Sequence, residues 1–184
     1  MSKHNVAVIV GSLRKDSINL KLAKALEKLA EGRLRFDYVR IGNLPLYNQD
    51  FDEDYPAEAV RFKESIKAAD AVLFVTPEYN RSVPGVLKNA LDLASRPYGQ
   101  NVFNGKPGAI TGASGGGIGT ALAQQHLRSV LTFLNVIAMP QPEVYLQFKE
   151  GLVDDRHDLT NEGTRKFLQG FIDQFVAWIE KQRV

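Results

Sequence analysis

The sequence predicts an α/β fold in which helices cover both faces of a parallel β-sheet. Two observations predict it: short, nearly continuous apolar runs alternate with longer stretches of helical period, and glycine-, proline- and polar-rich loops separate them. Apolar runs without alternation are typical of parallel strands that are buried beneath helices. A chain of 184 residues, 44% of them hydrophobic, suits a single domain over residues 1–184.

Five runs predict strands, and each is followed by a stretch that predicts a helix. The predicted strands are 6–10, 35–41, 71–76, 107–111 and 136–139. The predicted helices are 18–29, 57–69, 86–94, 118–133 and 162–181. Residues 35–41 alternate like an edge strand, whereas 71–76 is typical of a fully buried strand. Five strands with five helices match the flavodoxin-like doubly wound sheet, whose strand order is 2-1-3-4-5.

Charge and composition exclude several classes of protein. Lys and Arg total 23 against 21 Asp and Glu, which gives a net charge of +2. This charge is too small to indicate a nucleic-acid-binding protein. The lack of cysteine excludes disulfides, thiolate metal sites and a cysteine nucleophile. The first residues are not expected to form a signal peptide, because their apolar stretch is too short and has no small-residue cleavage site. No run reaches the roughly 18 apolar residues of a membrane span. We therefore expect a cytoplasmic protein.

Ligands of open parallel sheets bind at the carboxyl ends of the strands, beside the point where the strand order reverses. This rule marks three polar, glycine- or proline-containing loops: 11–19, 77–82 and a glycine-rich turn at 112–119. We therefore expect the binding site to be formed by these three loops.

The first loop, GSLRKDSIN, has the composition of an anion site. It runs into a helix that starts near Ser17, and a helix N-terminus attracts anions. Ser12, Ser17 and Asn19 add side-chain donors, and Arg14 adds a planar guanidinium suited to phosphate oxygens. Any one of these residues could equally be a helix cap or a solvated side chain, but the cluster predicts a phosphate site. Neither the G-x-G-x-x-G nor the Walker pattern follows the first strand, which favours a mononucleotide.

The second loop, TPEYNRSVPG, has two prolines that make its main chain rigid. A rigid main chain suits recognition of a flat polar ring, against which Tyr79 can pack while Asn80 offers a donor and an acceptor. By itself the segment favours a proline-containing turn before a helix over a ligand site.

Together, GSLRKDSIN and TPEYNRSVPGVLKNALD resemble the NADPH-dependent FMN reductase family, which includes soluble quinone, azo-dye and chromate reductases. The similarity runs from about residue 5 to 180. It implies that the FMN phosphate is held by Ser12, Arg14, Ser17, Ile18 and Asn19. It implies that the isoalloxazine ring is edged, partly by main chain, by Pro77, Glu78, Tyr79 and Asn80. Its pyrimidine side would lie by Ser114, Gly115 and Gly116. Arg81 stands where some relatives carry an aromatic residue, which leaves the wall on the substrate side open.

The resemblance also implies an activity. NADPH or NADH would pass hydride to tightly bound FMN, and an acceptor such as a quinone, azo compound, free flavin or chromate would then take it, in ping-pong order. No catalytic side chain is needed, and a homodimer or homotetramer is expected. No 2′-phosphate site can be assigned, so NADPH and NADH remain alternatives. The main competing class is a flavodoxin-type electron carrier, which the charge of +2 disfavours because such carriers tend to be strongly acidic.

Other patterns have weaker interpretations. The stretch ITGASGGGIG with Tyr145 and Lys149 is similar to a short-chain dehydrogenase, but its glycines fall one residue late and follow the fourth strand instead of the first. Residues 50–55 imitate the opening of a calcium loop without its glycine and glutamate, so we expect a solvated loop. His126 and Arg128 could face a partner subunit, the pocket mouth or solvent, and His157 is expected to be exposed.

Overall fold

The computed structural model describes residues 4–30 and 32–182. The strands in these ranges are β1 (His4–Val10), β2 (Leu34–Tyr38), β3 (Ala71–Val75), β4 (Pro107–Ser114), β5 (Ile137–Ala138) and β6 (Tyr145–Gln147). The helices are α1 (Ile18–Leu29), α2 (Ala57–Ala68), α3 (Gly85–Ser95), α4 (Ala121–Phe133) and α5 (Glu162–Gln182). A short 3₁₀ turn, Gln49–Phe51, lies between β2 and α2.

The strands form one parallel sheet in the order β2-β1-β3-β4-β5, and β6 pairs with β4 as well. The predicted strand order is therefore confirmed. Every residue of β3 is buried, because this central strand has helices on both faces, whereas the edge strand β2 alternates buried and exposed positions. The chain leaves β1 towards β2 on one side and later continues from β3 to β4 on the other, so the strand order reverses between β1 and β3.

Two apolar cores hold the helices against the sheet. On one face α1 and α5 bury side chains such as Leu26 and Phe175. On the other face α2, α3 and α4 bury side chains such as Ile66, Leu91 and Leu127. Full burial of one such side chain stabilises the fold by about 1.5–3 kcal/mol, so packing in these two cores is a main source of the stability that holds helices and sheet together.

The largest differences from the sequence prediction lie around the end of β4. Strand β6 was not predicted; it forms because β4 continues to Ser114, and the main chain of its last three residues, 112–114, pairs with Tyr145–Gln147. The predicted turn at 112–119 therefore begins only at Gly115. Helix α4 begins at Ala121 and not at residue 118, because Gly119 takes a φ of +64° outside the helical region. A Cβ on Gly119 would lie 2.6 Å from a main-chain atom of Tyr145, so β6 packs directly against this turn.

Candidate functional site

The loops that follow β1, β3 and β4 meet at one edge of the sheet, as the sequence predicts. The N–H of Gly11 donates to the carbonyl of Val75 at 2.9 Å, and the N–H of Thr76 donates to Thr111 at 2.9 Å. A Cβ placed on Gly11 would lie 3.3 Å from Cδ of Pro77. The first two loops are therefore in direct contact at the point where the strand order reverses.

The start of α1 has the chemistry of an anion site. Ser17 caps the helix, and its Oγ accepts from the N–H of Leu20 at 3.2 Å. The N–H groups of Ile18 and Asn19 have no acceptor within the helix, because they belong to its first turn. Ser12, whose Oγ accepts from the N–H of Arg14 at 3.4 Å, is half-buried, and the Arg14 side chain is exposed. Helix N–H groups, hydroxyls and a guanidinium thus occur together in one short segment.

Asn19 requires a correction. We expected its side chain to donate to phosphate, but the residue is only 1% exposed. Its Nδ2 donates to the carbonyl of Ala113 at 2.9 Å, and its Oδ1 accepts from the Ala113 N–H at 2.9 Å. The side-chain amide therefore joins α1 to the end of β4, and the main-chain N–H of Asn19 in the first turn of α1 is the donor that we expect to face an anion.

The loop after β3 ends in a tight turn. Tyr79 and Ser82 exchange two main-chain hydrogen bonds of 3.0 Å each, and Asn80 and Arg81 have φ values of +51° and +64°. These values identify a type I′ turn, which is usually built with glycine, so an arginine here holds an uncommon conformation. Tyr79, at the base of this turn, is 49% exposed, while Pro77 is buried.

Two side chains of this loop anchor it to α4. The carboxylate of Glu78 accepts from the N–H groups of Leu122 and Ala123 at 3.0 and 3.1 Å, and only 11% of the side chain is exposed. The N-cap residue of α4, Thr120, makes no side-chain capping bond, so Glu78 supplies the cap from another element. One turn further along α4, Nδ1 of His126 lies 2.6 Å from Oγ of Ser82. The second loop is therefore held in place by the helix that follows the third.

The third loop offers open main chain. A Cβ on Gly115 or Gly117 would meet nothing within 4 Å, whereas a Cβ on Gly112 would lie 2.1 Å from the carbonyl oxygen of Thr76. Glycine is thus required at position 112, where two segments of the main chain pack closely. The glycines at 115–117 instead leave free space beside the main chain. Oγ of Ser114 donates to the carbonyl of Gly119 at 2.5 Å, which closes the turn. A flat ligand edge can approach this main chain without a side chain in the way.

The remaining predicted features occupy structural positions. Arg128 donates through Nη1 to the carbonyl of Met139 at 3.1 Å and lies 3.5 Å from Glu143. Tyr145 accepts from Gln125 at 3.0 Å, and burial raises the pKa of its phenol. His157 is half-buried and not exposed as predicted, because its loop folds back on itself.

Within residues 4–30 and 32–182, no three His, Asp or Glu side chains are grouped as metal ligands. No helix in the same ranges is long and apolar enough to cross a membrane.

The three loops together fit FMN. The start of α1 supplies donors for a phosphate, and the fixed Tyr79 turn and the open glycine main chain supply an edge for a planar ring. The model for the NADPH-dependent FMN reductase family matches residues 4–151 of this sequence. The chain belongs to this family.

Relatives in the NADPH-dependent FMN reductase family match along nearly the whole chain. A 2-hydroxy-1,4-benzoquinone reductase from Burkholderia sp. is 56% identical over 179 residues, which is 97% of this chain and 98% of the relative. A quinone reductase from Pseudomonas putida is 51% identical over 98% of this chain and 97% of its own. The solved structure of FerB, a flavoenzyme NAD(P)H:(acceptor) oxidoreductase from Paracoccus denitrificans, has a TM-score of 0.95 at 54% identity and covers 97% of this chain and 98% of its own.

Family membership confirms the expectation of an oxidoreductase that uses FMN with NAD(P)H. Sequence reasoning did not find the capping role of Glu78 or the bond between Ser82 and His126, because the partners lie 44 residues apart. No local periodicity reports such pairs. The roles of individual loop residues toward FMN stay predictions.

Proposed function

We propose that this chain is an FMN-dependent NAD(P)H reductase whose acceptor is a quinone. The observation that carries the proposal is the juxtaposition of the phosphate-type site at the start of α1 with the open main chain of 115–117. The relatives from Burkholderia sp. and Pseudomonas putida support the acceptor class, since both are quinone reductases. Azo compounds, free flavin and chromate remain the alternatives predicted from the resemblance.

Each part of the site has a distinct task. The N–H groups of Ile18 and Asn19, the hydroxyls of Ser12 and Ser17, and the Arg14 guanidinium would hold the phosphate. The main chain of 77–80 and of 114–116 would border the ring. The Tyr79–Ser82 turn and the bond between Ser114 and Gly119 hold these two main-chain segments in one arrangement. When bound, FMN supplies the hydride chemistry, with NADPH or NADH as donor.

The protein contributes orientation and donors, and we assign no acid or base. Glu78, the carboxylate at the centre of the second loop, is already occupied by two N–H groups of α4. Main-chain N–H groups that point at a ring edge stabilise negative charge as it develops there, without any proton transfer by the protein. The exposed ring of Tyr79 leaves the outer side open to two substrates in turn.

Three further features belong to the proposal. Residues 1–184 act as one FMN-binding domain, since a single sheet collects all three loops. The protein is a homodimer or homotetramer, supported by exposed apolar side chains on and beside α4, among them Leu122 and Phe133, of which Phe133 is 83% exposed. The protein works in the cytoplasm on small molecules and has no nucleic-acid partner, in keeping with a net charge of +2.

The second candidate is a flavodoxin-type electron carrier. A flavodoxin from Pseudomonas aeruginosa shares the fold at a TM-score of 0.57 and 18% identity. The near-neutral charge does not suit a carrier that meets its partners electrostatically.

Anaerobic titration of the FMN-loaded protein with NADPH and NADH tests the choice. The reductase predicts that the flavin absorbance is lost on mixing with either or both nucleotides. A protein that binds FMN but keeps its absorbance would be the carrier, and a protein that cannot bind FMN would overturn both candidates.

A further inference from the structure

A cleft that the proposed FMN site does not use lies beside the phosphate loop. It is a cavity of about 410 Å³ between the ends of β1 and β2, and its lining is mostly apolar. Val8 and Val10 line it from β1, and Leu13 and Leu20 line it from the phosphate loop and α1. Leu13 is 60% exposed and Leu20 is 38% exposed. A flat apolar group seated here would remove both leucines from water.

Tyr38 gives this cleft a fixed aromatic wall. Its hydroxyl donates to the carboxylate of Glu27 at 2.9 Å, and Nζ of Lys24 lies 3.8 Å from the centre of the ring. Burial and the Glu27 carboxylate raise the pKa of the phenol, so the side chain stays neutral. The Tyr38 ring is therefore held in place by its contacts with Glu27 and Lys24 of α1, without a bound ligand.

The apolar cleft shares part of its lining with a smaller basic one. A neighbouring cavity of about 190 Å³ shares Val39, Arg40 and Asn43 with the first and adds Arg61. Arg40 is exposed, and Nη2 of Arg61 lies 3.1 Å from the carboxylate of Glu58, which lines the same cavity. The guanidinium groups of Arg40 and Arg61 and the carboxylate of Glu58 together leave a net positive charge in this cavity, and the side-chain amide of Asn43 adds a donor. This is the chemistry that binds a phosphate monoester.

An apolar slot with an aromatic wall next to a phosphate-type rim suits a phosphorylated nucleoside. We propose that this cleft binds the adenosine 2′-phosphate half of NADPH, with adenine among the leucines and Tyr38 and the 2′-phosphate on Arg40. The inference rests on the proposed function, since it assumes that a nicotinamide dinucleotide is the electron donor.

The place of the cleft supports this occupant. Ser12 belongs both to the cleft and to the predicted FMN phosphate site. The space between β2 and β1 lies two strand spacings, about 10 Å, from the space between β3 and β4 where the ring is proposed to sit. The two halves of an extended dinucleotide can span that separation. NADPH would then be preferred over NADH, a choice that the sequence left open.

Calorimetry with adenosine 2′,5′-bisphosphate tests the site without turnover. The FMN-loaded protein is titrated with this compound and with adenosine 5′-monophosphate, as are the variants Arg40→Ala and Arg35→Ala. Arg35 is the matched control, because it is an exposed arginine on β2 that lies outside both cavities.

We expect the bisphosphate to bind more tightly than the monophosphate and to lose about tenfold in affinity in Arg40→Ala, the lower end for one charge-assisted bond at an exposed site. The Arg35→Ala variant keeps the wild-type affinity. Absence of saturable binding, equal affinities of wild type and Arg40→Ala, or equal losses in both variants would overturn the proposal.

A kinetic arm tests the apolar slot. Leu20→Gln should raise KM for NADPH and NADH alike but leave it unchanged for reduced nicotinamide mononucleotide, which lacks adenosine. A change of KM with all three donors would overturn the assignment of adenine to the slot. Failure of every donor to reduce the flavin would instead overturn the proposed function, and calorimetry would still report on the cleft.

Discussion

Replacement of Glu78 tests whether the loop after β3 is held by α4. The carboxylate accepts from Leu122 and Ala123 at 3.0 and 3.1 Å, and Glu78→Ala leaves both donors of the first helical turn without this partner. Loss of a cap costs about 1–2 kcal/mol, and loss of a negative charge at a helix N-terminus adds about 0.3–1 kcal/mol. We therefore expect the free energy of unfolding to fall by about 2 kcal/mol. For a chain of this size, that lowers Tm by about 4–8 °C.

The conservative variant separates geometry from charge. Glu78→Gln keeps an oxygen that can accept from one or both N–H groups, so only the charge contribution is lost, and the destabilisation should be about 0.5–1 kcal/mol. Glu64→Ala is the control, because Glu64 is an exposed helical glutamate that pairs with Lys67 three residues away. Such surface pairs contribute little, about 0.5 kcal/mol at most.

Thermal unfolding followed by circular dichroism, with and without FMN, gives the result. The order of Tm should be wild type and Glu64→Ala, then Glu78→Gln, then Glu78→Ala. The affinity for FMN should fall in the same order, because the loop that borders the ring is released. Equal Tm values for Glu78→Ala and Glu64→Ala would refute the reasoning that the carboxylate caps α4.

Three further predictions follow from the same site. Arg14→Ala should weaken FMN binding by about 10- to 100-fold in fluorescence titrations, because charge-assisted bonds to the phosphate are lost. Its affinity for riboflavin, which lacks the phosphate, should not change, and the exposed control Lys15→Ala should bind FMN like wild type. Equal losses of affinity for FMN and riboflavin would contradict a phosphate role. Gly112→Ala should destabilise the fold by about 3 kcal/mol or more, because its Cβ would lie 2.1 Å from the carbonyl oxygen of Thr76. Gly115→Ala should unfold like wild type, because its Cβ would meet nothing within 4 Å, but it should bind FMN more weakly. Asn19→Ala should cost about 2–4 kcal/mol in chemical denaturation, since it unpairs two buried main-chain groups of Ala113; a loss under about 1 kcal/mol would contradict that.

The order of the strands could be predicted because the local patterns along the chain match those of a known fold. The apolar run at 71–76 and the alternation at 35–41 report how many faces of each strand are buried, and five strands with five helices match the flavodoxin-like doubly wound sheet, whose strand order is 2-1-3-4-5. The loops at the carboxyl ends of the strands could be located for the same reason. A short strand such as Tyr145–Gln147 has too few residues to show a period, and it forms only because β4 extends far enough to pair with it.

The internal bonds of the site could not be predicted. Asn19 has the same composition signal whether its amide faces a phosphate or the main chain of β4, and its actual partner lies 94 residues away. Glu78 likewise depends on where α4 starts, which is set by the φ of +64° at Gly119. These partnerships are decided by tertiary packing, which no window along the chain contains.

Initial rates measured against NADPH and a benzoquinone together test the central claim most directly. If one open site serves the donor and then the acceptor, reciprocal plots at several fixed quinone concentrations should be parallel, and the flavin absorbance lost on adding NADPH should return on adding the quinone. Intersecting plots, or flavin absorbance that does not respond to NADPH, would contradict the account.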